Sequence, residues 1–411
     1  SFYNSLKSYG MKNIILFDDD NWRSLLPLTY TRPVGDVRVG ILTMAEKWAA
    51  IHKARVSYIT QDHLAGKFPA AVDEDNLLIN SACFPTDKLI AYTEGLGLNE
   101  SIVYNEELIA ARLDRIQFEK LINNEEADEI RAIDITEEKD CVEKLSHPYQ
   151  IFVFNGREII RDFTWITAGK TSFPLGAGNT VIGKHPVFIE EGAKVYATIF
   201  NTEEGPVYIG KHAHIMEGSL IRGPFAMGAF SVVKMGAKIY GNTTLGPGCK
   251  VGGEVQNVVF QANSNKAHDG YLGNAVVGEW CNFGAGTNNS NLKNNYEEVK
   301  LWSYITERFE STGLQFCGLI FGDHSKCAIN TVFNTGTVVG VSTNIFGSGF
   351  PRNFIPSFSW GGSGGYVTYD IRKALETARR VLSRRNMKLT EDDVRILEYT
   401  YYESARYRPW D

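Results

Sequence analysis

Aliphatic side chains recur every six residues through the second half of the chain, at Ile209, Ile215, Ile221, Met227, Val233, Ile239, Leu245 and Val251. The spacing resumes at Tyr271, Val277 and Phe283, then at Phe321, Cys327, Phe333, Val339 and Ile345, after a looser beginning at Ile182 and Ile189. A strand alternates with period two and an amphipathic helix with about 3.6, so neither keeps a strict six. Short strands joined by equivalent tight turns do, and three of them close one triangular coil. The pattern predicts a left-handed parallel β-helix from Ile182 to about Gly349, with aliphatics inward, small residues near the corners, and Gly or Asn where the turn resists larger residues. Each coil buries its core only against the next, so both ends need caps. Two interruptions, Asn257 to Gly270 and Asn288 to about Gly318, are expected to leave the coil as loops, where binding residues concentrate.

Different patterns flank the repeats. Before residue 168 an apolar strand at Asn13 to Phe17 is followed by a helical stretch, Ile41 to His52, by strands near Val56 to Ile59 and Leu77 to Ile79, and by an apolar segment at Ser101 to Arg112. This predicts an α/β sheet domain, Rossmann-like, over 11–167. The β-helix domain then spans 168–360, and 361–411 forms a helical cap, with helices over Thr368 to Arg385 and Thr390 to Tyr402. Arg379, Arg380, Arg384 and Arg385 read as a solvated face. Glycine usage marks the change of architecture: the first 168 residues hold seven of the 39 glycines, and 32 lie between Gly169 and Gly365. The ten residues before Met11 read as a short extension without a function.

Composition narrows the function. A net charge of −6 gives no basic field for nucleic acid. The six cysteines form no CxxC pair or zinc-ligand cluster and read as buried thiols in a reducing compartment. No apolar run reaches the length of a membrane span and no signal-peptide core precedes Met11, so a cytoplasmic location is expected.

Around the first interruption the chain reads Lys266-Ala267-His268-Asp269-Gly270-Tyr271-Leu272-Gly273, then Asn282-Phe283-Gly284-Ala285-Gly286-Thr287 and Asn291. In spacing and identity this resembles the acetyltransferase half of the bifunctional UDP-N-acetylglucosamine pyrophosphorylase/glucosamine-1-phosphate N-acetyltransferases. The archaeal-type members share Asn291-Leu292 and Glu298-Val299-Lys300 as well. The resemblance covers roughly 205–350. It implies that His268 is the catalytic base, with Glu254 as a carboxylate near it. It places Lys234, Tyr271, Asn282 and a loop lysine, Lys300 or Lys293, on the sugar phosphate, and Ala285 and Asn291 on acetyl-CoA. The second of the two phosphate-holding cations falls at Gln256 and has lost its charge. The chemistry is consistent: an amino sugar attacks a thioester through its free amine, so a group titrating near neutrality must take the proton.

Asn13 to Phe17 followed by Leu26-Pro27-Leu28-Thr29-Tyr30-Thr31-Arg32-Pro33-Val34-Gly35 resembles the opening of sugar-1-phosphate nucleotidylyltransferases. Those enzymes wrap nucleotide phosphates in a glycine-rich loop after the first strand. Here that place is Asp18-Asp19-Asp20-Asn21-Trp22-Arg23, without glycine. Either substitutes serve, with Arg32, Arg38 or Lys47 on the nucleotide phosphates and Asp18, Asp19 and Asp20 on Mg2+, or the domain is degenerate. Ion pairing of Arg32 and Arg38 with the aspartates is the plain alternative. The leading expectation is an acetyl-CoA-dependent N-acetyltransferase on glucosamine 1-phosphate, fused to a divergent nucleotidylyltransferase-like domain and serving UDP-N-acetylglucosamine synthesis. The resembling enzymes are trimers with sites between subunits, so a homotrimer is expected. Its partners would be a sugar phosphate, acetyl-CoA and a nucleoside triphosphate, with no nucleic acid and no membrane. Two alternatives stand beside it: a sugar-phosphate nucleotidylyltransferase whose β-helix only oligomerises or regulates, and a non-catalytic sugar-nucleotide sensor or scaffold.

Overall fold

The computed structural model describes residues 12–127 and 129–411, so the extension before Met11 lies outside the described residues. Contacts divide the chain into two compact units, each discontinuous in sequence. One comprises the chain up to Trp22, Arg32–Val37 and Leu42–Ser146; the other comprises Arg23–Thr31, Arg38–Ile41 and His147–Asp411.

The first unit is a six-stranded mixed sheet. Its strands are β1 (Asn13–Phe17), β2 (Arg55–Ile59), β3 (Asp75–Asn80), β4 (Glu100–Tyr104), β5 (Glu107–Asp114) and β6 (Arg131–Asp134), in the order β2-β1-β3-β5-β4-β6. β1 lies parallel to both β2 and β3, while β5 runs antiparallel to β3 and β4. The run Ile14-Ile15-Leu16 is apolar throughout because both faces of β1 are covered: Ile14 and Leu16 join a core with Trp48, Ile79 and Ile102, and Ile15 one with Leu78 and Phe118. The first predicted helix, α1 (Met44–His52), starts later than its apolar pattern because Thr43 caps it, accepting from the Glu46 amide while Glu46 accepts from the Thr43 amide. The stretch Ser101 to Arg112 is a hairpin, β4 to β5, which turns at Asn105 and Glu106 with φ of 48° and 65°. That turn carries no glycine, so its sequence does not announce it.

In the second unit the repeats form the expected parallel β-helix. Three columns of inward side chains fill it: Phe200, Ile221, Ile239, Val255 and Leu272 on the first face; Ile209, Met227, Leu245, Phe260, Val277, Phe321 and Val339 on the second; Ile215, Val233, Val251, Phe283, Cys327 and Ile345 on the third. The expected loop at Asn257 to Gly270 does not leave the coil. Glu254–Ala262 and Asn265–Lys266 are strands of it, parallel to their neighbours. The six-residue reading lapses there because one coil is shorter: Val233 pairs with Val251, eighteen residues on, but Val251 pairs with Lys266, fifteen on. The second interruption does leave, but only after Asn288–Asn289, which is still a coil strand parallel to Val332–Phe333. It forms an antiparallel hairpin, Lys300–Ser303 with Arg308–Ser311, and the coil is rejoined where the Cys317 amide donates to Asn291 O at 2.9 Å.

A long helix that the apolar spacing did not announce, α2 (Tyr149–Thr167), packs along second-face strands. Its buried Asn155 donates to Asn242 O and Thr244 Oγ1 and accepts from the Gly40 amide. Polar residues on its packed face hide the amphipathic signal. At the other end α3 (Ile371–Ser383) and α4 (Glu391–Glu403) follow the last strands; α3 lies within the helical stretch expected, and α4 runs one residue past its own. Phe358 meets Tyr401 edge to face at 5.2 Å, and the buried Arg408 donates to Ser357 O and Tyr401 O, which caps the final coil. Of the arginines expected to be solvated, Arg385 instead donates to Asn265 Oδ1 and Gly248 O on the β-helix. All six cysteines are buried and unpaired. Among the described residues no helix is long and apolar enough to cross a membrane.

Candidate functional site

The corner between the third and first faces carries the candidate site. Asn265–Lys266 ends on the third face, Ala267–Gly270 turns, and Tyr271–Glu279 starts the next first-face strand. His268 is exposed in that turn, and its ring makes no hydrogen bond to another described residue. One coil earlier lies Gly253, where a Cβ would stand 2.7 Å from His268 O. One coil later the Gly286 amide donates to Asp269 O at 2.9 Å, which puts Ala285 beside the same turn. Lys234 belongs to the same corner, since its Cβ lies 2.9 Å from where a Gly252 Cβ would be. Glu254 is the first-face residue in register with Tyr271. The structure therefore gathers Lys234, Glu254, His268, Tyr271 and Ala285 on successive coils of one edge. Gly270, at φ +130°, lets that edge close up, because a Cβ there would meet Thr287 O at 2.1 Å.

Tyr271 is held by a polar network. Its hydroxyl donates to Gln256 Oε1 and accepts from Asn291 Nδ2, both at 2.9 Å, and Asn291 also donates to Asn274 Oδ1. Asn291, expected on acetyl-CoA, thus positions the tyrosine. Gln256, which stands where the resembling enzymes carry a cation, is the tyrosine's acceptor. Partial burial raises the Tyr271 pKa, so its hydroxyl stays protonated and can donate. Asn282 stands across the corner on the third face, exposed, in register with Asn265 and Lys326. The structure does not bring Lys300 to the His268 turn: with Lys293, Phe309, Asn334, Thr335 and Asn353 it borders a hollow of about 360 Å³ that none of the turn residues lines.

Sequence reasoning missed three supports of this edge. Asn288 Oδ1 accepts from the Tyr271 amide, and the inward Asn289 accepts from the Gly273 amide and donates to Gly273 O. Lys266 is the third. It occupies an inward position between Val251 and Phe283 at 2 % exposure, and its Nζ donates to Gly252 O (2.9 Å) and His268 O (2.8 Å). Burial lowers its pKa to about 8, with Asp269 and Glu254 opposing the fall. The signal was present in the pattern: a lysine and an asparagine stand where the repeat calls for aliphatics.

In the first unit, the carboxyl ends of β1, β2 and β3 are where open α/β sheets bind ligands. Here Asp18 occupies that place, accepting from Ser81 Oγ (2.6 Å), Thr60 Oγ1 (2.7 Å) and the Val34 amide (3.3 Å). Burial pushes its pKa up to about 6 against those hydrogen bonds. Burial opposes ionisation of Asp19 too, but hydrogen bonds from Asn80 and Lys144 outweigh it and hold the carboxyl below its usual range. Asp20 is exposed at the start of a 3-10 turn. The three aspartates do not converge, and among the described residues no group of three His, Cys, Asp or Glu is placed to hold a metal ion. The residues present do not fit the Mg2+ site expected of them. Arg32, Arg38 and Lys47, expected on the nucleotide phosphates, are 3 %, 8 % and 2 % exposed. The Arg38 guanidinium is committed to Ile41 O and Gln261 O, and Arg32 lies 3.8 Å from Asp36 rather than on the Asp18–Asp20 cluster.

Comparison with known proteins finds partial matches. A family described as sugar nucleotidyl transferase matches residues 14–171. A bifunctional protein GlmU of Methanocaldococcus jannaschii is 34 % identical over 87 residues, 21 % of either chain. A bifunctional sugar-1-phosphate nucleotidylyltransferase/acetyltransferase of Sulfurisphaera tokodaii is 32 % identical over 93 residues, 23 % of either chain. A GlmU of Rippkaea orientalis is 26 % identical over 160 residues, 34 % of either. The chain thus spans between a fifth and a third of the length of these relatives. Among solved structures, the polysialic-acid-specific acetyltransferase NeuO superposes with a TM-score of 0.28 at 11 % identity, over 51 % of this chain and 94 % of that one. Residues 14–171 are thus similar to the family described as sugar nucleotidyl transferase, and the chain is similar, over part of its length, to bifunctional sugar-1-phosphate nucleotidylyltransferase/acetyltransferases.

Proposed function

We propose that the chain transfers an acetyl group from acetyl-CoA to the amine of an amino-sugar 1-phosphate, glucosamine 1-phosphate foremost, as a step towards a UDP-N-acetylhexosamine. The observation that carries this reading is the exposed His268 on one β-helix edge with Lys234, Glu254, Tyr271 and Ala285. The amine nitrogen bonds to the thioester carbonyl carbon, His268 takes the proton it sheds, and as the C–S bond breaks the imidazolium returns that proton to the sulfur, so that CoA leaves as its thiol. Glu254 is suited to stabilise the imidazolium that forms, Lys234 and Tyr271 to hold the sugar phosphate, and the chain beside Ala285 to lie along the acyl donor. Asn282 would reach the sugar from the other side of the corner. On the same reading the chain assembles as a homotrimer, in which a neighbouring subunit would close over an edge that is open in one chain. We take the enzyme to work in the cytoplasm, where acetyl-CoA is made available.

Purified protein incubated with acetyl-CoA and glucosamine 1-phosphate tests this through release of free thiol. Steady release that falls by roughly 10² to 10⁴ in His268→Ala supports it, and no release, or equal release from the variant, overturns it. The match of residues 14–171 to nucleotidyl transferases favours a second reading, in which the β-helix assembles a nucleotidylyltransferase. Nucleotidyl transfer to a sugar 1-phosphate that survives His268→Ala would select it.

A further inference from the structure

Two polar residues interrupt the inward columns of the β-helix beside the His268 edge, and both are spent on its main chain. Asn289 brackets Gly273. Lys266 lies in register with Val251, within the aliphatic core, and turns its ammonium back to the two adjacent turns. It donates to Gly252 O in one coil and His268 O in the next, and a Cβ on Gly253 would stand 2.8 Å from its Nζ. A buried charge costs more than an aliphatic side chain of equal size, and every other third-face position from Ile215 to Ile345 is filled by an uncharged residue. Core packing therefore gives no reason for a lysine here. Among the described residues its ammonium donates to Gly252 O, in the turn one coil earlier, and to His268 O, in the turn that presents the imidazole.

From this geometry we infer that Lys266 is a positioning residue for His268, clamping the Gly252 and His268 carbonyls so that the imidazole projects from the edge in one orientation. The inference rests on the proposed acetyl transfer for its kinetic consequence but not for its structural one. Lys266→Met keeps the volume and removes the clamp. The variant is expected to keep its melting temperature within a few degrees, and its KM for acetyl-CoA within about twofold, while kcat falls at least tenfold. In protein labelled with 13C-histidine, the His268 ring resonance, identified by its loss in His268→Asn, is expected to shift and broaden. Should Lys266→Met not fold, Lys266→Arg, which keeps a donor, is read in the same way and is expected to show smaller changes of the same sign. An unmoved His268 resonance overturns the inference, as does an unchanged kcat in a protein whose wild type is active. Wild-type protein that turns over no acetyl donor overturns the proposed function instead, and the resonance still decides the role of Lys266.

Discussion

Gly273 is where a single methyl group separates the Tyr271 network from disorder. A Cβ there would stand 2.3 Å from Tyr271 Oη and 2.6 Å from Cζ, so the ring must swing off Gln256 and Asn291. Gly273→Ala is expected to lower kcat/KM for the sugar phosphate about tenfold, or about 1.4 kcal/mol, mainly through KM, as initial rates against sugar concentration would show. A loss confined to kcat would argue that Tyr271 does not hold the substrate. Asp18 supplies a second check at this scale. Its carboxyl is raised in the folded chain, so the folded state binds the proton more tightly and loses stability as pH rises from about 4 through about 6. Urea midpoints of wild type and Asp18→Asn, compared at pH 4 and pH 7, are expected to show the wild type losing ground to the variant at the higher pH. An equal gap at both pH values would mean that burial does not penalise this carboxylate.

The coil was legible because one inward residue per six is repeated without slippage, and repetition survives local noise. It became illegible where the shape of the coil changed. Between Val251 and Lys266 the coil shortens and the inward residue is a lysine, so the pattern reads as a loop where the chain forms a strand. α2 escaped notice for a related reason: it buries Asn155, Glu158 and Asp162, so no clean apolar stripe marks its packed face. In the coils themselves, Phe321 is fully buried and lies 4.6 Å from the Phe283 ring and 5.9 Å from that of Phe333. Phe321→Ala is expected to cost about 3 to 5 kcal/mol, because stacked coils leave a cavity rather than collapse around it. Denaturant unfolding would check this, and a cost under about 1 kcal/mol would mean that the coils repack freely.

Across the whole chain, the two halves differ in how far their chemistry can be read from sequence. The His268 edge was legible because its residues are close in sequence and the regular coil turns that spacing into proximity. The burial of Arg32, Arg38 and Lys47 was not, because sequence does not display how deeply an arginine or a lysine is packed. With Asp18 taking the Ser81 and Thr60 donors and Asp19 held by Asn80 and Lys144, UTP with Mg2+ is expected to give no calorimetric binding tighter than about 1 mM, a free energy of about −4 kcal/mol. Micromolar binding would show that the unit rearranges around a nucleotide. The central claim is acetyl transfer to nitrogen with His268 as base. The most direct measurement incubates the protein with deuterated acetyl-CoA and glucosamine 1-phosphate and locates the label in the sugar by fragment mass. Label on the amine in wild type, at a rate lowered roughly 10² to 10⁴ by His268→Ala, is the predicted result. Label on a hydroxyl, or no label at all, would contradict it.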